Sequence, residues 1–327
     1  MKFSFSLVPS YQLSRYVDVV AGVTVERGFD QLWVPDQGFH RDPFVALAAV
    51  ASQLKRMELG IAVTNFFTRH PVQVARAAAA LGELHPRGIA LGLGAGERRV
   101  RDAIGADRGR FVEVTRDGIV AMRRLLAGET VSMKNEAFAI EGVKLEFAPS
   151  GHVSFYVAST TRSAFRMAGA VADGVIVGDV ADPEAMRSVI AEVHAGAREA
   201  GRNPDDVSIV SWTTTICTED APVTFELMRR RLLPSTIGTM SEYSRSLVGV
   251  DQDTFAAVSE AFKQRTPISA SALDDQIIDR VALVGSATRI AERLRALEAV
   301  GVDRIGMRMP GALLGLLDLD ANLMRLS

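Results

Sequence analysis

Glu97 closes the run Gly92-Leu93-Gly94-Ala95-Gly96, alternate glycines at the end of an apolar stretch. A carboxylate so placed can give or take a proton. Glycines at a strand end let a flat ligand or another stretch of backbone come close. The spacing is not the G-x-G-x-x-G that opens a dinucleotide-binding helix, so a Rossmann site is not indicated. The same run also reads as a tight turn carrying a solvated carboxylate. Ser159-Thr160-Thr161-Arg162 precedes a helical pattern. Its hydroxyls, its guanidinium and the amides of a helix start suit a phosphate, or simply an N-cap. Asp36-Gln37 can orient a polar ring edge or cap a turn. Asn65-Phe66-Phe67-Thr68-Arg69-His70-Pro71 mixes aromatics, a cation and an imidazole, which fits a site or packing beneath a loop.

Other chemistries find no residues. The 5 histidines form no H-x-x-x-H or H-E-x-x-H, so no catalytic metal is expected. There is no G-x-S-x-G elbow, and Cys217 lies in a β-rich run, so nucleophilic hydrolysis is not indicated. A lone cysteine also excludes an internal disulfide. With 37 basic and 39 acidic residues the net charge is −2, and nothing asks for nucleic acid. Residues 1–7 alternate like a strand and lack the apolar core of a signal peptide. No apolar stretch approaches the ~20 residues a bilayer needs. The expectation is a cytoplasmic protein that meets a small molecule and no membrane. Trp33 and Trp212 read as core or rim packing.

What must position these residues is an alternation of short β-like runs with longer helical patterns. Strands are predicted at residues 3–7, 31–35, 59–64, 89–93, 153–158, 174–177, 207–216 and 304–307, with a short run at 281–283. Asp42-Pro43 and Asp182-Pro183 are helix starts, an N-cap acceptor followed by proline. Ser286 is a third cap, and a last helix is expected over 313–326. Such alternation without a linker implies a parallel sheet. About eight strands favour a closed (β/α)8 TIM barrel over a doubly wound sheet. The whole chain, 1–327, is read as one domain, with insertions at about 131–148 and 222–280, after strands 4 and 7. In such a barrel the site lies at the C-terminal strand ends. That places Ser6, Asp36, Thr64, Glu97, Ser159, Asp179, Thr213–Thr215 and Arg308 at the mouth.

Leu59-Gly60-Ile61-Ala62-Val63-Thr64-Asn65-Phe66-Phe67-Thr68-Arg69-His70-Pro71 and Leu91-Gly92-Leu93-Gly94-Ala95-Gly96-Glu97 resemble the bacterial luciferase-like flavin and deazaflavin oxidoreductases. Within them the chain is most similar to the coenzyme F-420-dependent 5,10-methylenetetrahydromethanopterin reductase branch. Trp33-Val34-x-Asp36, Tyr156-Val157-Ala158, Ala168-Gly169 and Val300-Gly301-Val302-Asp303 extend the match over nearly the whole chain, least over 222–280.

The resemblance implies a deazaflavin across the strand ends, with Asp36 and Gln37 at the ring edge and Thr64 and Asn65 beside the ring. A cis peptide between Ala62 and Val63 would bulge behind it. Gly94, Ala95 and Gly96 would pass against the cofactor, and Ser159, Thr160 and Thr161 would hold its phosphate. The implied chemistry is hydride transfer between reduced coenzyme F-420 and an activated C–N carbon, with Glu97 as main acid or base and Asp36 as the other candidate carboxylate. A homodimer is also implied, with Leu13, Val17 and Val20 as candidate interface residues.

Three departures stand out. Ser6 replaces a glutamate usual in the archaeal reductases, Gln37 replaces a histidine common in deazaflavin enzymes, and the phosphate loop lacks its usual glycines and proline. The alternatives are an FMN-dependent monooxygenase, a flavin-independent reductase using NAD(P)H, and a flavin-binding protein without turnover.

Overall fold

A computed structural model describes residues 1–308 apart from 11, 27, 107–108, 265, 267 and 269–272. The helix expected over 313–326 lies outside the described residues.

The first half alternates as the pattern predicts: β1 (Lys2–Ser6), α1 (Leu13–Glu26), β2 (Gln31–Val34), α2 (Pro43–Ala51), β3 (Glu58–Thr64), α3 (Pro71–Leu84) and β4 (Ile89–Leu93). A short α4 (Arg98–Ala103) and the long α5 (Phe111–Leu126) follow. The excursion near 131–148 is an antiparallel hairpin, β5 (Val131–Lys134) with β6 (Ala139–Val143). Alternation resumes with β7 (Val153–Ser159), α6 (Arg162–Val171), β8 (Gly174–Gly178), α7 (Pro183–Glu199) and β9 (Ser208–Cys217). The second insertion is helical: α8 (Ala221–Arg231), α9 (Leu233–Gly238), α10 (Glu242–Val248), α11 (Gln252–Gln264) and α12 (Asp275–Val281). Then come β10 (Ala282–Gly285), α13 (Ala287–Ala299) and β11 (Arg304–Arg308).

Strands β9, β11, β1, β2, β3, β4, β7 and β8 pair in that order, and β8 pairs back onto β9, closing an all-parallel (β/α)8 barrel. The insertions follow its fourth and seventh strands. Strand β10 is not a stave. It lies parallel along Thr214–Cys217, beyond the part of β9 that β8 covers. The sequence run at 281–283 therefore splits, with Val281 ending a helix and β10 starting one residue later.

Successive side chains of a strand face opposite sides. Leu32, Val34, Leu59 and Ile61 join the large core between barrel and helices. Trp33, Ala62, Ala90, Ile176 and Val210 form a separate cluster that fills the barrel. Trp33 stands edge-on to Tyr156 and Trp212, with ring centroids 5.5 Å and 6.2 Å apart. Glycines make room for these rings: a Cβ on Gly60 would lie 2.5 Å from Trp33, and one on Gly306 2.6 Å from Trp212. The interior is thus a packed floor, which leaves the mouth above it as the place for a site.

The cap signals hold. Asp42 accepts the amides of Phe44 and Val45, Asp182 that of Ala185, and Ser286 that of Arg289. One interface candidate does not hold: Val20 is fully buried, and Leu13 and Val17 pack against the same core. Core and interface faces of a helix look alike in sequence; at Val20 the face is core, while Leu13 and Val17 stay partly exposed.

Candidate active site

The strand ends bring most of the expected residues into one arc. Asp36, just past β2, is clamped. Its Oδ2 accepts from Arg69 Nε at 2.7 Å and from Thr64 Oγ1 at 2.8 Å, and its Oδ1 accepts from Arg69 Nη2 at 3.1 Å. Arg69 also reaches Asp42 at 2.8 Å. Burial lowers the tendency of its guanidinium to hold a proton, but the bonds to Asp36 and the charge of Asp42 outweigh that and raise its pKa. In the sequence Arg69 stands only as one cation among the aromatics of its loop. The T-N-x-x-T-R-H-P run held the signal, but the partner, 33 residues earlier, could not be read from it.

The pairing of β3 with β4 shifts register between Ile61 and Thr64, and the Ala62–Val63 peptide is cis, as the resemblance implies. Gly94 faces this bulge, where a Cβ would lie 2.7 Å from Val63 Cγ2, and its amide donates to Thr64 O at 2.9 Å. Gly96, at φ +70°, lies against Asn65, whose Nδ2 would be 2.5 Å from a Cβ. Asn65 is buried, and its Oδ1 accepts from the amides of Phe67 and Thr68. At these two glycines the close neighbour is the protein's own backbone and side chains. Ala95 points outward and is exposed.

Glu97 stands at the N-cap position of α4 but makes no cap bond. Instead its Oε1 accepts from Gly38 N at 3.1 Å, and its Oε2 lies 3.6 Å from Arg99. Arg99 in turn stacks over Phe39. The loops after β2 and β4 therefore meet across the end of β3. Glu97 keeps 35% of its side chain exposed against 18% for Asp36, so it is the more accessible of the two carboxylates. Gln37 is exposed in the same turn, where its carbonyl accepts from His40 N at 3.4 Å. His70 is structural: Nδ1 caps α3 through Val72 N, and Nε2 lies 3.1 Å from Ala139 O on the hairpin.

Ser159 ends β7, the neighbour of β4, and Thr160 and Thr161 lead from it into α6. Ser159 Oγ accepts from Thr161 N at 3.1 Å, and Thr161 caps α6 through Ala164 N. By helix geometry the amides of Arg162 and Ser163 have no partner within α6, so an anion could take them. The guanidinium of Arg162 already has a partner. It pairs with Glu192 on α7 at 2.6 Å, a partner 30 residues on that the loop sequence could not reveal. Thr160 is tied to the second insertion: Oγ1 accepts from Ser241 N at 3.2 Å, and its carbonyl accepts from the hydroxyls of Ser241 and Ser244.

A deazaflavin or flavin fits this arc by its residue chemistry. Ala62, Val63, Gly94, Ala95 and Gly96 are small enough for a planar ring to lie against, and the α6 start offers amides to a phosphate.

Across the mouth stands a second polar group, also at strand ends. Asp179, after β8, bonds Arg308 at the end of β11, and Arg308 also reaches Thr214 of β9 at 3.2 Å. Among the described residues no helix is long and apolar enough to cross a membrane.

Comparison with known proteins agrees with this fold. The 5,10-methylenetetrahydromethanopterin reductase of Methanolobus tindarius is 30% identical over 221 residues, 68% of this chain and 67% of that protein. The enzyme of the same name from Archaeoglobus fulgidus is 25% identical over 316 residues, 93% and 92% of the two chains. The solved structure of coenzyme F-420-dependent tetrahydromethanopterin reductase from Methanopyrus kandleri superposes with a TM-score of 0.81 over 94% of this chain and 93% of that chain. At 19% identity that likeness is one of fold. A family model described as luciferase-like monooxygenase matches residues 12–304, most of the chain, and the chain belongs to that family.

Proposed function

We propose that the protein is a coenzyme F-420-dependent oxidoreductase that moves a hydride between the deazaflavin and a C–N carbon of a small substrate, as a methylenetetrahydromethanopterin reductase does. The observation that carries this reading is the contiguous arc over β2, β3, β4 and β7, found in a chain whose relatives bear that enzyme's name. Coenzyme F-420, when bound, supplies or accepts the hydride. Ala62, Val63, Gly94, Ala95 and Gly96 back the ring, while Gln37, Thr64 and Asn65 line its edge. Asp36 acts with Arg69 as a rigid polar corner beside it. Ser159, Thr160 and Thr161 hold the phosphate with the first amides of α6. Glu97 gives or takes the proton at the substrate atom that changes charge.

The experiment is anaerobic mixing of the protein with reduced F-420 and methylenetetrahydromethanopterin. Catalytic formation of oxidised F-420, followed by its absorbance, is the expected result. A protein that binds F-420 yet oxidises none of it with this acceptor would overturn the C–N substrate. The family description keeps a second reading, an FMN-dependent monooxygenase, which would instead consume oxygen with reduced FMN.

We further read the protein as a single-domain cytoplasmic homodimer. Light scattering at micromolar concentration is expected to give twice the 35.2 kDa chain mass, and a monomer would refute it.

A further inference from the structure

The proposed cofactor arc occupies the ends of β2, β3, β4 and β7. The opposite half of the mouth ends on β8, β9, β11 and β1. There Arg308 is held by three side chains from three elements. Its Nη2 donates to Asp179 Oδ1, and also lies 3.2 Å from Thr214 Oγ1 and 3.4 Å from Thr236 Oγ1. Nη1 is 3.4 Å from Asp179 Oδ2, and Nε is 3.4 Å from Thr214 Oγ1. Thr236 lies on α9, so the second insertion reaches down to this group.

The backbone behind Asp179 is fixed. Asp179 is the one non-glycine described residue at positive φ, +56°. Asp179 N donates to Trp212 O at 2.9 Å, Ser211 Oγ to Val180 O at 3.1 Å, and Ala181 N to Arg280 O at 2.7 Å. A left-handed aspartate pinned on both sides is the kind of outlier found at sites that need a side chain aimed.

A buried ion pair is a weak stability device, because desolvation offsets most of the attraction. Burial pushes the Asp179 carboxyl up against the pull of Arg308. The arrangement makes more sense as presentation. Arg308 keeps 33% of its side chain exposed and Asp179 only 13%, so a ligand meets the guanidinium. Nη1 carries two N–H groups. Among the described residues it has one partner, which leaves one donor for a ligand.

We propose that Arg308, aimed by Asp179, Thr214 and Thr236, recognises the substrate by donating to a neutral carbonyl oxygen, that of a lactam ring or of a ketone. The charge decides the class. Asp179 already balances Arg308, so an arriving carboxylate or phosphate would leave a net negative charge in a partly desolvated corner. A neutral oxygen needs no such compensation. Arg308 is then the specificity-determining residue, and Asp179 is a positioning residue acting through it. The inference rests on reading the other half of the mouth as the cofactor side.

The test is a calorimetric titration with pterin as the lactam probe, cyclohexanone as the ketone probe and benzoate as the anionic probe, each with and without F-420. The wild-type protein is expected to bind one neutral probe better than benzoate. Arg308→Met should weaken that probe by about tenfold or more, the usual loss for one charge-assisted hydrogen bond. F-420 affinity should stay within about twofold, since the cofactor side is untouched. Asp179→Asn should weaken the same probe, and Arg308→Lys should not restore it, because lysine lacks the fork that Asp179 and Thr214 hold. Should Arg308→Met fail to fold, Asp179→Asn and Thr236→Val carry the comparison. Failure of F-420 to bind would remove the proposed function, yet the cofactor-free titration would still report on Arg308. The inference is overturned by a wild-type protein that binds neither neutral probe. It is equally overturned by folded variants that bind like wild type, or by preferential benzoate binding with proton uptake.

Discussion

Glu97→Gln is expected to slow turnover by about 10²–10⁴-fold while leaving F-420 affinity unchanged, because a positioned acid or base contributes that much in rate. The barrier rises by about 3–5 kcal/mol. The change is nearly isosteric, and the amide can still accept from Gly38 N, so the joint between the loops after β2 and β4 survives. What is lost is the proton. With Ser6 where a glutamate would be a second carboxylate, the remaining acids in the arc are Glu97 and Asp36. Asp36 has both oxygens engaged by Arg69 and Thr64, whereas Glu97 has one firm hydrogen bond and a looser contact with Arg99. Stopped-flow rates on one confirmed substrate decide the matter. A near-wild-type Glu97→Gln with a slow Asp36→Asn would move the proton to Asp36.

Asp36→Asn is expected to act differently, by loosening the site. The asparagine oxygen can still accept from Thr64, but it offers Arg69 one acceptor in place of a two-point carboxylate clamp. Arg69 then keeps only Asp42 as a charged partner. Removing one member of a partly buried pair leaves a desolvated charge, at a cost of about 1–3 kcal/mol. F-420 affinity should drop about tenfold, the equivalent of roughly 1.4 kcal/mol. The thermal midpoint should fall with it, and the rate at saturating cofactor should change far less than in Glu97→Gln. Unchanged affinity and melting in Asp36→Asn would show that the Asp36–Arg69 corner does not shape the cofactor site.

Local signals carried much of the fold. Asp42-Pro43, Asp182-Pro183 and Ser286 cap the helices they were expected to cap, since an N-cap is a matter of neighbouring residues. Helix α4 escaped because its residues, Arg98–Ala103, have no apolar face, and none of them is buried. The strand-end placement of the candidate residues was legible because a barrel delivers strand ends to one mouth. The partnerships were not. Arg162 bonds Glu192, Thr160 bonds Ser241, and Asp179 bonds Arg308 across 129 residues, none of which leaves a trace in local pattern. The glycine run shows the limit plainly. Its close neighbours could have been a ligand or another backbone, and at Gly94 and Gly96 they are Val63 and Asn65.

A parallel equilibrium titration decides the cofactor. The purified protein is titrated with F-420, FMN and NADPH, followed by fluorescence. F-420 is expected to bind more tightly than FMN, and Asp36→Asn to weaken F-420 binding. Tighter binding of FMN, or binding of NADPH alone, would rule out F-420 as the cofactor.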